Sequence, residues 1–593
     1  MGEAPRARIT AQNTLTTWHA DRLYGAMVIL VDDEQAVVVA NLNLDAGKIA
    51  MNMSDFFLAH SFFNYGISYL RRGHWDEHYH LSLELFNLAA KCALMNAEHD
   101  SVKTITEQIM RNAKCFGDKF EAISVTITLL NWSGNVFAAV ALIHSSLSTL
   151  KEELPSVAFI IDQYLGNMRA QLAVLSDDTL LSYPAMLNPS NSKFLAVELL
   201  AKLYTSLTVI RERDAMPIIP LKIIEISLTC GMSPHSPSAF AQYGNYLALI
   251  RYEFEEGYRY VKLALSLMKK IPSRAHDGSI MFFSNHTKLY VEPMQSSIEC
   301  YLDARKASLK SGNPYANACA YVYNNLCLWS GKELNAVVIA MKEARKETKY
   351  HKNFGVLALM QPMLRIALRL MGQSDAPATQ QDNLTNDFDE ICNDGGNTGK
   401  YAIQSHTIFF VRLSEALIFR ELDKAMEAAE KYFSVNESVG RYFTISTPNM
   451  FFRRFYSGLV SFWAARETNV NKESERWRKR GVDCKDEIEK LSFSASTWNF
   501  QNKAYLLQAE EQFCTRNYEM AETLYDAAIS SSKTHKFVNE EALSNELAGH
   551  FYLETGRRNK SVHYLTRAFE KYNEWGAVAK ANSLMLYLDV NER

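Results

Sequence analysis

Proline and glycine are scarce in this chain, which has 14 prolines and 25 glycines among 593 residues. Soluble proteins use roughly 5% proline and 7% glycine, so both residues that interrupt regular structure are under-represented here. The long stretches between them place apolar residues three and four positions apart rather than at every second position. That spacing is typical of amphipathic helices and argues against strands.

Paired cysteines are also missing. The nine cysteines are scattered and none forms a C-x-x-C pair, which argues against a zinc ribbon, a thioredoxin-like redox site and a dense disulfide framework. Reduced thiols, as in the cytosol, are the simplest interpretation. The N-terminal stretch lacks the apolar core of a secretory signal, and no run approaches the roughly 18 apolar residues that cross a bilayer. We therefore expect a cytoplasmic protein without membrane partners.

The chain has no excess of positive charge. Its formal net charge is −3, so no global positive field favours nucleic acid or an anionic membrane. Apolar residues make up 48% and charged residues 22%, which is ordinary globular composition. Because 593 residues are too many for one compact core, the length predicts several domains or an extended array.

The sequence does contain a recurrent pattern of helix, glycine turn and helix. In "HYHLSLELFNLAAKC" the apolar face steps from His78 through Leu81, Leu85 and Leu88 to Cys92. A glycine past a helix end adopts the left-handed cap conformation without a Cβ clash. Such turns recur at Arg72-Gly73-His74, Ser133-Gly134-Asn135, Ser311-Gly312-Asn313, Ser330-Gly331-Lys332 and Thr555-Gly556-Arg557.

The C-terminal part shows the repeating unit most clearly. "AYLLQAEEQFCTRN" with "YEMAETLYDAAISSSKTH" is followed by "LSNELAGHFYLETG" with "RRNKSVHYLTRAFEKYNEWG", about 40 residues further on. That period is close to the 34 residues of tetratricopeptide (TPR) repeats, in which each helix pair needs a neighbour to cover its apolar face. We predict an all-α fold of TPR-like antiparallel helix pairs stacked into an α-solenoid.

The composition also suggests segment boundaries. An N-terminal segment, 1–35, is interpreted as the remnant of a preceding domain, and TPR-like helical repeats follow over 36–212. A middle group of helical repeats covers 213–372 and opens on a proline-rich stretch, 213–238, that predicts a connection with short helical pieces. The polar segment 373–400 predicts a flexible loop or linker. The C-terminal TPR-like repeats occupy 401–593.

The stretch "HWDEHYH" raises the question of catalysis. His74, Glu77 and His78 fit the H-x-x-E-H pattern of inverted zinc peptidases, in which two histidines bind the metal and the glutamate acts as general base. Gly73 predicts a helix end directly before His74, so the two histidines would not share one rigid helix. A packed histidine at the start of an apolar stripe is the alternative for His78.

The C-terminal block resembles the end of the helical region in very large signalling proteins. That family joins a kinase-like domain, a P-loop ATPase, TPR-like helices and a sensor histidine kinase, and the likeness covers roughly residues 36–590. The residues that carry it are Phe551, Tyr552, Leu553, Gly556, Tyr564, Leu565, Ala568, Tyr572, Trp575 and Gly576. Ser561 stands where the family more often has alanine. The resemblance implies packing roles for Trp75 and Tyr79 and no metal role for the HWDEH segment.

The family's catalytic and phosphate-binding motifs do not occur in this chain, so its ATPase and kinase activities are not carried over. We expect a non-catalytic helical-repeat scaffold for protein–protein interaction in signal transduction, without catalytic residues or cofactors. Its expected partners are proteins, among them a separate ATPase or kinase module. A zinc metallopeptidase acting through HWDEH and a helical-repeat RNA-binding protein are the alternatives, the second disfavoured by the net charge.

Overall fold

The computed structural model describes residues 32–155, 158–186, 191–207, 217–311, 315–350, 354–373, 402–439 and 450–589. These residues form 27 α-helices, and their β-structure is confined to one isolated bridge between Ala185 and Met232. The prediction of an all-α protein is therefore confirmed for the described part of the chain. The chain divides into two compact units, Met1–Thr149 and Leu150–Arg593.

The described residues of unit 1, which begin at Asp32, form seven helices. They are α1 (Asp33–Asn52), α2 (Phe56–Tyr69), α3 (His74–Glu77), α4 (Tyr79–Met95), α5 (His99–Asn112), α6 (Phe116–Trp132) and α7 (Val136–Thr149). Aspartates cap the N-termini of α1 and α2. Asp32 accepts a hydrogen bond from the Gln35 amide, and Asp55 accepts one from the Leu58 amide. Such N-caps satisfy amides that have no partner within the helix.

The core of unit 1 lies between successive helices. Gly47 of α1 lies so close to the ring of Phe63 on α2 that a methyl group at Gly47 would collide with it. On α4 the alternation of large and small buried residues, such as Leu85 and Ala89, lets the helix pack against both α2 and α5. Close approach of two helices requires small side chains on one of them.

Unit 2 contains the other twenty helices of the described residues. They are α8 (Ala158–Ala173), α9 (Asp177–Ser182), α10 (Ser192–Leu207), α11 (Ile218–Cys230), α12 (Ser236–Asn245), α13 (Phe254–Lys270), α14 (Asp277–Val291), α15 (Met294–Ser311), α16 (Tyr315–Trp329), α17 (Leu334–Tyr350), α18 (Phe354–Met371), α19 (Ala402–Ile418), α20 (Leu422–Val439), α21 (Met450–Glu467), α22 (Asn471–Ser494), α23 (Thr497–Cys514), α24 (Tyr518–Thr534), α25 (Val538–Glu554), α26 (Arg558–Trp575) and α27 (Val578–Asp589). A π-helical turn, Tyr246–Ile250, continues α12.

The proline-rich stretch 213–238 differs from its prediction within the described residues. Residues 217–230 are not a connection with short pieces, because Ile218–Cys230 is a continuous helix whose apolar residues are mostly buried. Pro217 is its N-cap and Pro220 lies in its first turn, where the missing N–H would have had no acceptor. Prolines at the start of a helix do not interrupt it, so a proline-rich composition does not exclude a helix here.

The helix pairs at the C-terminus have the predicted period. Their first helices begin at Thr497 and Val538 and their second helices at Tyr518 and Arg558, which are 41 and 40 residues apart. Glycines with positive φ occupy four of the five predicted turns, namely Gly73, Gly134, Gly331 and Gly556. The fifth turn, at Gly312, lies outside the described residues, as does nearly all of the predicted linker 373–400.

Buried ion pairs connect the alternate helices of this C-terminal region. Arg466 on α21 pairs with Glu510 on α23 at 2.6 Å, Lys503 on α23 pairs with Glu540 on α25 at 2.9 Å, and a third pair follows between α25 and α27. Tyr525 donates a further hydrogen bond to Glu510. Buried charges require such partners. The role of these ionisable groups is therefore to join neighbouring repeats.

Unit 2 also contains contacts between helices that are far apart in sequence. Asn499 on α23 donates to the carbonyls of Leu289 and Glu292 at the end of α14, and Asn539 on α25 donates to the carbonyl of Trp329 at the end of α16. On α25 every residue from Asn539 to Tyr552 is buried. A helix that is buried on all sides has neighbours on every face. Other helices of this chain therefore cover every face of α25.

The division between the two units falls after Thr149, inside the range 36–212 that the sequence groups together. The remaining sequence-based boundaries, at 35/36, 212/213, 372/373 and 400/401, stay predictions.

Candidate functional site

The HWDEH segment does not form one helix. Gly73, at φ +91°, precedes the short helix α3, and His78 is its C-cap with φ −125° and ψ 44° before α4 begins at Tyr79. The i, i+4 geometry that a zinc-binding helix requires is therefore interrupted at His78 itself. In the described part of the chain, no group of three or more His, Cys, Asp or Glu side chains is placed to hold a metal ion.

The side chains of this segment serve packing instead. His74 forms a 2.8 Å hydrogen bond from Nδ1 with Oγ of Ser82 and stacks on the ring of Phe86. Burial lowers the pKa of His74, and the charge of His78 lowers it further. Glu77 is exposed, and it belongs to no group of described side chains that could hold a metal ion. Trp75 packs against the core of unit 1 as a partly buried side chain.

The residues of the C-terminal signature, which lie on α25 and α26 and in the turns that follow them, are mostly buried. Phe551, Tyr552, Leu565, Ala568, Tyr572 and Trp575 are each at most 1% exposed, Leu553 is 39% exposed and Tyr564 is half-buried. Gly556 and Gly576 have positive φ at the ends of α25 and α26. The indole N–H of Trp575 donates to the carbonyl of Lys332 at 3.1 Å. Nothing near Trp575 in the sequence indicates this bond, which spans 243 residues.

A cleft with many charged residues lies among α18, α19 and α20 in unit 2, with a volume of about 390 Å³. Helix α18 contributes two arginines four residues apart, and α20 contributes two lysines seven residues apart. Helix α19 contributes one arginine and the apolar residues Phe409 and Ala416. The lining cations are Arg365, Arg369, Arg412, Lys424 and Lys431, and the lining carboxylates are Glu415, Glu421 and Glu427. The cleft therefore has two positive charges in excess.

The cations of the cleft differ in how firmly they are paired. Arg369 donates to Glu415 at 2.8 Å and to Glu421 at 2.9 Å, which joins α18 to α19 and to the start of α20. Arg365 lies 3.9 Å from Glu415, beyond hydrogen-bond distance, and its side chain is 58% exposed. Arg412 has no ion-pair partner in the described residues. The hydrogen bond from Lys431, followed by the charges of Lys431 and Arg412, lowers the pKa of Glu427.

An apolar stripe runs along the exposed side of α1 in unit 1. It consists of Val38, Leu42, Ile49 and Met53, which are between 43% and 71% exposed, and Phe57 at the start of α2 is 73% exposed. At 100° per residue the four positions fall within an arc of about 60° and span about 22 Å of helix. We call these five residues the α1 stripe.

Sequence reasoning did not identify the cleft or the α1 stripe. Arg365 and Arg369 stand out as two arginines four residues apart in the apolar string "LALMQPMLRIALRL", which is a local signal. Their convergence with Arg412 depends on the packing of three helices, which no local pattern encodes. Around the stripe, "AVVVANLNLDAGKIAM" is apolar on more than one face, so the sequence leaves open which face is buried.

No known protein-family model matches the chain, and no curated protein matches it either. Among the described helices, none combines the length and apolar character needed to cross a membrane.

Proposed function

We propose that this chain is a non-catalytic helical-repeat scaffold that binds a protein partner through the α1 stripe. Its fold supports the proposal, because arrays of paired helices present extended faces to peptides and helices. On this proposal the chain is the TPR-like part of a signalling assembly, and the ATPase or kinase module lies on a separate chain or elsewhere in a longer gene product.

The exposed apolar stripe is the observation that carries the proposal. Contiguous apolar patches on otherwise polar surfaces mark interaction sites, whereas isolated exposed apolar residues do not. Val38, Leu42, Ile49 and Met53 follow one face of α1 for about four turns, with the exposed Asp45 between Leu42 and Ile49 on the same face. A stripe of that length and width matches the apolar side of an amphipathic helix, which docks through anchors three, four and seven residues apart. The proposed occupant is therefore a helix of the protein partner.

The chain's own packing favours this surface over the repeats of unit 2. The faces of α23 and α25 that a repeat array would offer to a peptide are covered by the ends of α14 and α16, which accept hydrogen bonds from Asn499 and Asn539 respectively. In unit 1 the described residues leave the outer face of α1 uncovered, since its side chains remain exposed. Neither the zinc-peptidase alternative nor the RNA-binding alternative is favoured by a specific observation.

Site-specific photo-crosslinking tests the proposal. The full chain is produced in its native host cell with a photoreactive amino acid at Leu42. The control carries the same amino acid at Gln108, an exposed polar position of α5. We expect a discrete adduct with a second protein from Leu42, none from Gln108, and loss of the adduct when Val38→Glu is added. Equal labelling at both positions, no adduct, or a crosslink within the same chain would overturn the proposal.

A metal assay tests the non-catalytic part independently. Stoichiometric zinc in the purified protein, lost on replacement of His78 by alanine, would refute it.

A further inference from the structure

We infer that the cleft among α18, α19 and α20 binds a phosphate monoester, and that its ligand is a segment of a partner protein that carries phosphoserine or phosphothreonine. The inference rests on the proposed function, since it assumes a protein partner, but it concerns another surface in the other unit. Its evidence is the arrangement of charges in the cleft.

The walls of the cleft are fixed independently of any ligand. Arg369 is held by Glu415 and Glu421 in two hydrogen bonds, and its guanidinium lies 4.0 Å from the centroid of the Phe419 ring. Two charge-assisted bonds to two separate carboxylates fix the orientation of the guanidinium. Arg369 therefore acts as a positioning residue that joins the helices, and it is not free to bind an anion.

The remaining cations are paired less firmly, and Lys424, which is 71% exposed, lies 3.3 Å from Glu421. Arg365 and Arg412 make no hydrogen bond to the carboxylates of the cleft, and a guanidinium fork matches the geometry of a phosphate. Lys431 is bonded to Glu427 at 2.7 Å, but both side chains are largely exposed, with exposed fractions of 44% and 68%. Exposed ion pairs contribute little to stability, so this lysine can exchange its partner at low cost.

The excess charge favours a dianion over a single carboxylate. Five cations face three carboxylates, and a phosphate monoester carries a charge of about −1.5 to −2 at neutral pH. Recognition of phosphorylated segments by clusters of arginine is a general mode of peptide binding. The apolar part of the lining is limited to Phe409, Ala416 and Ala428, so the cleft offers little surface on which a nucleotide base could stack.

The test uses the full chain and fluorescent heptapeptide pools with phosphoserine or serine at the centre and mixed residues around it. Fluorescence anisotropy should show tighter binding of the phosphoserine pool. Arg412→Gln and Arg365→Gln should each weaken that binding about tenfold, the factor of one charge-assisted hydrogen bond. The matched control is Arg567→Gln, which removes an exposed arginine of α26 outside the cleft and should change nothing.

Several outcomes would overturn the inference. Equal binding of both pools would remove the role of the phosphate, and equal effects of all three substitutions would mean non-specific attraction. Tighter binding of ATP than of the phosphoserine pool, lost in Arg412→Gln, would assign the cleft to a free phosphate ester instead. Arg365 is largely exposed, so Arg365→Gln tests the cleft even if Arg412→Gln unfolds. Crosslinking at the α1 stripe does not depend on any of these results.

Discussion

Replacing Trp575 by alanine should destabilise two regions of unit 2 that are far apart in sequence. The side chain is 1% exposed, and its indole N–H donates to the carbonyl of Lys332 between α16 and α17. Truncation of a buried tryptophan costs about 3–5 kcal/mol. Because the bond and the packing reach the end of α16, the loss should not be confined to the C-terminal pairs.

Native-state hydrogen exchange measures this effect. If local opening involves both regions, a loss of about 4 kcal/mol raises exchange rates there by about a thousandfold. We expect the increase in α25–α27 (538–589) and in α16 and the start of α17 (315–340). Helices α8 and α9 (158–182) serve as the internal reference.

Trp575→Phe is the matched control. It keeps most of the apolar volume but removes the donor to Lys332, so it should cost about 1–2 kcal/mol, the range of one lost buried hydrogen bond. Exchange that rises only in α25–α27 would show that the contact with Lys332 carries no energetic coupling. Unchanged exchange everywhere would show that Trp575 is not buried in solution.

Three further predictions concern unit 2. Lys580→Met leaves Glu546 buried without its cation and should lower the free energy of unfolding by about 3–5 kcal/mol, whereas adding Glu546→Leu should restore most of the loss in chemical denaturation. Burial, the largest effect, lowers the pKa of both His276 and His286 to about 4, and the charge of Lys202 adds to it at His276. Both histidines thus stay neutral in the folded protein above pH 6.5. The free energy of unfolding should therefore fall by about 3 kcal/mol per histidine as the pH is lowered from 6.5 towards 4. A denaturation series in which His286→Gln does not reduce this fall would contradict the assignment. Gly331→Ala places a methyl group at φ +81° and 2.5 Å from a side-chain oxygen of α25, and should cost more than 1 kcal/mol by thermal or chemical unfolding; wild-type stability would show that the turn relaxes.

The sequence predicted what depends on local patterns. Apolar spacing gave the all-helical class, glycines such as Gly73 and Gly556 marked helix ends, and the 40-residue period gave the C-terminal pairs. These features were accessible because a helix repeats its faces every few residues and a left-handed cap favours glycine.

Features that depend on which faces meet were not accessible. Asn499 and Asn539 are polar residues at the start of helices, and nothing near them in sequence indicates acceptors more than 200 residues away. The cleft likewise needs Arg365 and Arg412 to converge from two helices. Local propensity is also a weak guide to structure where a proline lies in the first turn of a helix. For that reason the sequence pattern does not predict the helix that begins at Ile218.

The hydrogen bond from Asn539 to Trp329 spans 210 residues, and this separation has a consequence for synthesis. At roughly 5–20 residues per second, a ribosome needs about 10–40 s to make the chain between these two partners. During that interval the end of α16 has been made but lacks the helix that covers it. Unit 2 therefore cannot complete its folding one repeat at a time as it emerges, and its middle helices remain exposed to chaperones and to aggregation until α25 has been made.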